Sequence, residues 1–163
     1  MLEVTDLTTS FGSVIALNSV SMKVKESKIT TVIGANGAGK STTVKILCGL
    51  ISDYDGKVTV AGIDLKEDPV AVKRKIGYVP ELAELYDVLT PVEFLGLMAE
   101  LYDIPKIVAT ERIHKMLTAF GLEANMNNRM DTFSKGMKQK VLITSGLLHN
   151  PDIIILDEPL SGL

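Results

Sequence analysis

The chain has 163 residues, of which 46% are hydrophobic and 23% are charged, and its formal net charge is −3. This length and composition suit one globular domain, and the acidic balance excludes the overall basic field of a nucleic-acid-binding protein. No apolar run approaches the roughly 18 residues that span a membrane, and we expect no secretory signal. Cys48 is the only cysteine, which excludes an internal disulfide and a multi-cysteine metal site.

The first fifty residues predict three strands followed by a helix. Apolar residues alternate in residues 2–7 and 20–25, as in half-buried strands. Residues 29–34 are rich in β-branched side chains and predict a third strand that runs into a glycine-rich segment. From Lys40 the spacing becomes helical, and Gly49 is a suitable C-cap.

Two further strands are predicted at residues 57–60 and 75–80, and a short helix could precede the second. A helical block then follows. Thr90 with Pro91 and Glu93 has the pattern of a helix start with a capping box. Residues 111–122 form a second amphipathic segment, closed by Gly121.

The third helix of this block begins in the stretch "FSKGMKQKV", residues 133–141, with Ser134 as its cap, and Asn150-Pro151 stops it. Three lysines lie in its first turns, at Lys135, Lys138 and Lys140. Positive charge normally suits the other end of a helix, because the macrodipole makes the N-terminus positive. Either these lysines are simply solvated, or an anion binds here.

The stretch "GANGAGKST" has the phosphate-binding pattern G-x-x-x-x-G-K-[ST], with Gly34, Gly39, Lys40 and Ser41 at the defining positions. The glycines allow the backbone N–H groups to surround a phosphate chain. Lys40 can reach the β- and γ-phosphates, the Ser41 hydroxyl can bind Mg²⁺, and the following helix directs its positive end at the same anion. The alternative is a glycine-rich turn with an incidental lysine.

Residues 152–159, "DIIILDEP", predict a central strand buried on both faces. At its end, Asp157 matches the Mg²⁺-holding aspartate of P-loop NTPases. Glu158 follows, where it could orient and polarise a water that attacks the γ-phosphate. The alternative is that both are solvated carboxylates at a strand terminus.

The stretches "GANGAGKST", "FSKGMKQKV" and "IIILDEPLSGL", in this order, resemble the ATP-binding subunit of an ABC transporter. The resemblance implies an α/β fold of the P-loop NTPase class. A mixed-sheet core would combine with an N-terminal antiparallel β part and an inserted helical subdomain. The nucleotide-binding core would comprise residues 1–89 and 151–163, and the helical subdomain residues 90–150.

In this family two ATPase domains pair head to tail, and each ATP lies between one P-loop and the partner's signature helix. "FSKGM" stands where the family usually has Leu-Ser-Gly-Gly-Gln. Ser134 and Gly136 match, so the resemblance implies that they contact the γ-phosphate of ATP held by the partner subunit, with the helix lysines facing that anion. Phe133, Lys135 and Met137 depart from the pattern and are typical of a branch that serves bacterial export-type permeases. A capped surface helix with solvated lysines is the alternative.

Phe11 lies where the family stacks an aromatic ring on adenine, although from the sequence alone it could equally be a core aromatic. Glu81 lies where the family usually has a glutamine that contacts Mg²⁺ and the attacking water. A glutamate can bind Mg²⁺, but it also adds negative charge near the γ-phosphate, so both outcomes are open. The loop of residues 86–90 resembles the surface that docks on the permease.

We therefore predict an ATP hydrolase that, with Mg²⁺, drives a membrane permease of an exporter from the inner face of the cell membrane. Its partners would be a second ATPase subunit and the permease, with no nucleic acid. The alternatives are a soluble ABC-type ATPase in translation or DNA repair and a non-catalytic nucleotide sensor. The predicted nucleotide-binding residues are Phe11, Gly34, Ala35, Asn36, Gly37, Ala38, Gly39, Lys40, Ser41, Thr42, Ser134 and Gly136. The predicted catalytic residues are Lys40 and Glu158, and the predicted metal ligands are Ser41, Asp157 and Glu81.

Family members continue beyond the position of Leu163 with an aspartate, further strands and a histidine. We therefore expect the chain to be a cassette that is incomplete at its C-terminus. By itself it should bind nucleotide weakly and turn over little ATP.

Overall fold

The computed structural model describes residues 1–81 and 85–157. The chain divides into two compact units, Met1–Ile76 and Gly77–Leu163. The predicted grouping of residues 1–89 with 151–163 as a nucleotide-binding core stays a prediction.

The first unit is built on an antiparallel sheet of four strands, β1 (Leu2–Phe11), β2 (Val14–Val24), β3 (Asp55–Val60) and β4 (Ile63–Asp64). Their order in the sheet is β2-β1-β3-β4. This confirms the predicted N-terminal antiparallel part, and β1 and β2 extend well beyond the segments predicted from alternation. The turn between them contains Gly12, whose φ of 60° lies in the left-handed region.

Side chains on one face of this sheet form the core of the first unit. The buried apolar residues of these strands are Leu2, Val4, Leu7, Leu17, Val58 and Val60. Their neighbours along β1, Glu3 and Thr5, are more exposed. The alternation that predicted half-buried strands therefore matches the observed burial.

Two helices complete the first unit. Helix α1 (Lys40–Leu47) ends as predicted, because Gly49 adopts a φ of 65° and its N–H donates to the Ile46 carbonyl at 2.8 Å. Helix α2 (Pro69–Lys75) is the predicted short helix before the 75–80 strand. Its start is capped by Asp68, whose Oδ1 accepts from the Ala71 N–H at 2.9 Å.

The prediction of a strand at residues 29–34 is wrong. This segment has no strand structure, and Ile29 and Ile33 are 98% and 90% exposed. Strand propensity reflects packing against neighbouring strands rather than a preference of the isolated backbone. Within residues 1–81 and 85–157 neither sheet includes this segment, so its β-branched residues lack the partners that would order them as a strand.

The second unit contains the three predicted helices, α3 (Pro91–Leu101), α4 (Lys106–Ala119) and α5 (Lys135–Leu147). Helix α4 begins earlier than the predicted residue 111. Two short 3-10 helices, Glu123–Asn125 and Met130–Thr132, connect α4 to α5. None of the helices in the described part of the chain is long and apolar enough to cross a membrane.

Local capping interactions determine where α3 and α5 begin and end. Thr90 and Glu93 form the predicted capping box, in which the Thr90 N–H donates to Glu93 Oε2 at 2.8 Å and the Glu93 N–H donates to Thr90 Oγ1 at 3.2 Å. Ser134 caps α5 by accepting from the Met137 N–H at 3.2 Å. Beyond α5, Asn150 adopts a left-handed φ of 55° directly before a proline, as expected for a helix stop.

The three helices pack around one apolar cluster. Its buried members are Phe94, Leu95, Ala99, Ala109, Ile113, Leu117, Leu122, Met130, Phe133, Val141 and Leu148. On α3 Leu95 and Ala99 are four residues apart, and on α4 the buried members recur every four residues from Ala109 to Leu117, which is a spacing that places side chains on one face of a helix.

Two short strands, β5 (Ile76–Val79) and β6 (Ile153–Leu156), pair with each other. The Asp157 N–H, directly after β6, donates to the carbonyl of Val79, the last residue of β5, at 2.9 Å. The two strands therefore run in the same direction.

Helix α5 lies directly on β5. A Cβ placed on Gly77 would overlap the Gly146 carbonyl oxygen, and one placed on Gly146 would lie 3.0 Å from a Val79 methyl group. The two glycines therefore permit this close helix–strand approach.

The prediction that residues 152–159 form a central strand buried on both faces is wrong for residues 152–157, and residues 158 and 159 lie outside the described residues. Along β6, Ile154 and Leu156 are 48% and 51% exposed, whereas Ile153 and Ile155 are half-buried. In the described part of the chain β6 has β5 as its one partner strand, and one of its faces is left open. A continuous apolar run indicates a buried strand only where neighbouring elements cover both sides.

Candidate nucleotide site

The phosphate-binding pattern forms an exposed loop that leads into α1, within the first unit. The Ala38 N–H donates to the Ala35 carbonyl at 3.1 Å and closes a turn. Gly37 and Gly39 have φ values of 83° and 82°. These left-handed conformations are open to glycine at no steric cost.

Gly39 meets a second requirement. A Cβ on this residue would lie 2.5 Å from Leu17 Cδ2 and 2.8 Å from the Ala16 carbonyl oxygen, both on β2. The end of the loop therefore packs tightly against the sheet, and this contact holds the start of α1 in place. Gly37 has nothing within 4 Å of the equivalent position and faces open space.

The N-terminus of α1 is left uncapped. The N-cap residue is Gly39, which has no side chain to accept a hydrogen bond, and no acidic residue lies in the first turn. Thr43, the one buried threonine of this turn, uses its hydroxyl to bond the Gly39 carbonyl at 2.9 Å. Backbone N–H groups at the start of a helix that lack intrahelical partners, together with the helix dipole, favour an anion. This end of α1 fits a phosphate group.

Lys40 folds back over the loop. Its Nζ donates to the Gly34 carbonyl at 2.6 Å and to the Ala35 carbonyl at 3.1 Å. The ammonium group therefore lies across the opening of the loop, and neither partner is a carboxylate. A phosphate oxygen would be a stronger acceptor for it than these carbonyls, because a hydrogen bond between opposite charges is stronger than one to a neutral acceptor.

Ser41, the predicted metal ligand of the loop, has an exposed side chain in the first turn of α1. Serine hydroxyl and carboxylate oxygens are ligands that suit Mg²⁺, which commonly binds through one or two protein groups together with phosphates and water. Among residues 1–81 and 85–157 no three His, Cys, Asp or Glu side chains cluster as a metal site.

In the second unit, Glu81 follows the carboxyl end of β5 and Asp157 follows the carboxyl end of β6, at the same edge of the paired strands. Asp157 directly follows β6, and its N–H is bonded to Val79, two residues before Glu81. Carboxylates at the carboxyl end of parallel strands are placed where ligands of such folds bind. Metal binding by Glu81 and Asp157 stays a prediction, and Glu158 lies outside the described residues.

Ser134 and Gly136 lie at the start of α5, also in the second unit. Ser134 is exposed and has an extended conformation, and because its Oγ accepts the Met137 N–H, its own O–H can still donate. Gly136 is in the first turn and is half-buried. An exposed serine hydroxyl at a helix N-terminus is suited to contact a phosphate, and that contact stays a prediction.

Lys138 fits neither of the two predictions made for the lysines of this helix. It is neither solvated nor left to face an external anion, because its Nζ lies 2.7 and 2.8 Å from the two carboxylate oxygens of Asp87. Only 21% of its side chain is exposed. The positive charge near the start of α5 is thus offset within the same unit. Nothing in the sequence pattern pointed to Asp87, because the two residues are 51 positions apart.

Gln139 follows Lys138 in α5, and no structural or functional role was predicted for it from the sequence. It is 2% exposed, and among the described residues neither of its amide atoms has a hydrogen-bond partner. A buried amide without partners is costly, and nothing in the described part of the chain explains it.

Phe11 ends β1 and is 55% exposed, so it is not the core aromatic that was the alternative. It pairs across the hairpin with Val14, which is also exposed. An exposed ring at the end of a rigid hairpin is free to stack on a planar base, and its contact with adenine stays a prediction.

Comparison with known proteins points to a single family. The family described as "ABC transporter" matches residues 17–161. The protein named "Probable multidrug ABC transporter ATP-binding protein YbhF" from Escherichia coli (strain K12) is 37% identical over 163 residues. That match covers 100% of this chain and 28% of YbhF, so the chain spans less than a third of that relative.

Two solved structures have the same fold. One, described as "Structure of ATP binding subunit of ABC transporter", superposes with a TM-score of 0.92 at 37% identity, covering 100% of this chain and 68% of its own. The other is the ATP-binding cassette MJ0796, a dimer in a post-hydrolysis state bound to ADP and Pi. It superposes with a TM-score of 0.88 at 27% identity and covers 100% of this chain and 76% of its own.

Proposed function

The chain belongs to the ABC transporter family, and from this premise we propose that it is part of the ATP-hydrolysing subunit of a transporter. It would bind MgATP, pair head to tail with a second ATPase subunit, and drive a conformational change in a membrane permease. That association would place it at the inner face of the cell membrane. The observation that carries the proposal is the uncapped N-terminus of α1 behind a loop shaped by Gly37 and Gly39.

In this proposal the loop of residues 34–39 and the first turn of α1 bind the β- and γ-phosphates through backbone N–H groups. Lys40 exchanges its carbonyl partners for phosphate oxygens, and Phe11 stacks on the adenine. Ser41 and Asp157, with Glu81 as a further candidate, would hold Mg²⁺, which when bound offsets the negative charge of the phosphates. Ser134 and Gly136 would complete the site of the partner subunit.

Glu158 is the proposed group that orients the attacking water. The water oxygen bonds to the γ-phosphorus as the bond to the bridging oxygen of ADP breaks, and the products are ADP and inorganic phosphate. A carboxylate beside this water would align it and accept its proton. Asp157 and Glu158 are adjacent acids that would repel each other and the phosphates, and the Lys40 ammonium and the metal would offset this negative charge.

The direction of transport is proposed to be export. The Ser-Lys-Gly-Met form of the signature is typical of ATPases that serve bacterial export-type permeases, and the name of the relative YbhF includes multidrug transport. No observation favours a soluble ATPase of translation or DNA repair, because the matching family is described as a transporter family.

The test compares Lys40→Ala with Lys45→Ala in the native gene product. Both changes remove a lysine from α1, but Lys45 is exposed in the last turn, away from the loop. Loss of a charged hydrogen bond to phosphate should weaken MgATP binding about 10- to 100-fold and abolish phosphate release. Lys45→Ala should leave both unchanged. Binding and phosphate release by Lys40→Ala at the wild-type level would overturn the proposed function.

A further inference from the structure

Asp87 joins the loop of residues 85–89 to the start of α5 through its side chain. The two carboxylate oxygens lie 2.7 and 2.8 Å from Lys138 Nζ, so both contact the same ammonium group. The backbone N–H of Lys138 in turn donates to the Ser134 carbonyl at 3.0 Å. Lys138 therefore connects the Asp87 carboxylate, through its side chain, to the carbonyl of Ser134, through its backbone N–H.

The backbone of the same loop bonds the segment that precedes the serine. The Asp131 N–H donates to the Asp87 carbonyl at 2.9 Å, and the Met130 N–H donates to the Leu89 carbonyl at 3.0 Å. Met130 is fully buried and is fixed in the apolar cluster. Asp87 thus contacts residues on both sides of Ser134, with its carbonyl on the N-terminal side and its carboxylate on the C-terminal side.

The residues on either side of Asp87 are largely exposed, and the Tyr86 ring lies 6.4 Å from that of Phe94. Tyr86 and Val88 are 63% and 65% exposed, although both are large apolar side chains. The loop therefore has an apolar outer surface and an acidic residue that bonds to α5. The loop is joined to α5 by one ion pair and to the preceding 3-10 helix, Met130–Thr132, by two backbone hydrogen bonds.

We propose that Asp87 is a positioning residue, and that its ion pair with Lys138 sets the position of Ser134 and Gly136 relative to the loop of residues 85–89. Movement of this loop would then shift the helix start that contacts the ATP of the partner subunit. The part of this inference that concerns ATP rests on the proposed function. The mechanical link between Asp87 and Ser134 does not.

The mechanical link is tested by hydrogen exchange on the chain without nucleotide. Asp87→Asn and Lys138→Met should each speed exchange of the Asp131, Met137 and Lys138 amides by about two- to five-fold, the range set by one partly exposed ion pair. The double variant Asp87→Lys with Lys138→Glu restores opposite charges and should bring these rates back toward wild type. A matched control is Glu111→Gln, which breaks the exposed Lys115–Glu111 pair on α4, joined at 2.6 Å, and should leave these amides unchanged.

The functional consequence is tested in the native gene product assembled with its permease. Asp87→Asn should lower kcat for ATP hydrolysis several-fold while leaving KM for ATP near wild type, because the phosphate loop is untouched. The charge-reversed pair should recover kcat. Unchanged amide exchange, or altered exchange with wild-type kcat, would overturn the proposal. Failure of the proposed function itself is distinguishable, since Lys40→Ala would then hydrolyse ATP normally.

Discussion

Gly39 is constrained by its φ of 82° and by its contact with β2, whereas Gly37 is constrained by its φ of 83° alone. This pair separates two reasons for a glycine in the phosphate loop. Alanine at either position should cost about 1–2 kcal/mol for the left-handed backbone. At Gly39 the overlap with Leu17 and Ala16 should add about 1–3 kcal/mol and displace the start of α1.

The measurement is urea denaturation of both variants, followed by MgATP titration. Gly39→Ala should be the less stable of the two and should also lose more of its nucleotide affinity. Equal losses for Gly37→Ala and Gly39→Ala would show that the contact with β2 has no energetic role.

Interactions between residues that are close in the sequence could be predicted from the sequence. Interactions between residues that are distant in the sequence could not. The Thr90–Glu93 capping box and the Ser134 cap involve neighbours within a few positions, so their spacing alone predicted them. The Asp87–Lys138 pair and the buried Gln139 depend on packing between separate helices and loops. No pattern within either segment carries that information.

At the scale of elements, the start of α3 depends on the charge of the Glu93 carboxylate. The Thr90 N–H that donates to the Glu93 carboxylate lowers the pKa of Glu93 below its ordinary value of 4.5, and the Thr90 side chain adds to the effect. A carboxyl whose pKa is lowered by folding stabilises the folded state above the ordinary pKa and loses that contribution as the pH falls through the lowered value.

We expect the first turn of α3 to fray as the pH falls below 4.5, with the contribution lost once the pH is below the lowered pKa. Amide exchange of Glu93 measured between about pH 6 and pH 3 should show this opening. In Glu93→Gln the same amide should show a weaker pH dependence, after correction for intrinsic exchange. A pH dependence identical in both proteins would contradict the role of the Glu93 carboxylate.

Two glycines of the second unit, Gly77 and Gly96, predict opposite effects of substitution by alanine. Gly77→Ala would force a methyl group into the Gly146 carbonyl and should destabilise the second unit by about 1–3 kcal/mol or more. Gly96 is inside α3, lines a cavity of about 490 Å³ between α3 and α4, and has nothing within 4 Å of a new Cβ. Gly96→Ala should therefore stabilise by about 0.5–1 kcal/mol.

Urea denaturation measures the free energy of unfolding of both variants. All curves are analysed with the same m-value, which is the dependence of that free energy on urea concentration. Finding Gly77→Ala as stable as wild type would show that α5 does not approach β5 as closely as described.

Helices were better predicted than strands for a physical reason. Thr90, Ser134, Gly49 and Asn150 mark helix ends through contacts within a few residues. Strands instead depend on partners that are distant along the chain. Residues 29–34 were predicted as a strand and residues 152–159 as a strand buried on both faces, but in the described part of the chain the first segment has no partner strand and the second has one open face.

At the scale of the whole molecule, the functional motifs are divided between the two units. The phosphate loop belongs to Met1–Ile76, whereas Asp157 and the signature helix belong to Gly77–Leu163. In the proposed mechanism each ATP contacts the phosphate-binding loop of one subunit and Ser134 and Gly136 of the partner. Hydrolysis would therefore require assembly of two chains around two nucleotides.

The most direct test of this account is the molecular mass of the native gene product with and without MgATP, measured by sedimentation. Glu158→Gln, which removes the proposed water-activating carboxylate, should form dimers with MgATP and remain monomeric without it. Adding Gly136→Asp should abolish the dimer while each monomer still binds ATP. An acidic residue in the first turn favours the helix itself but repels the phosphate of the partner subunit. Dimers that persist in Gly136→Asp, or that form equally without nucleotide, would contradict an ATP site shared between two chains.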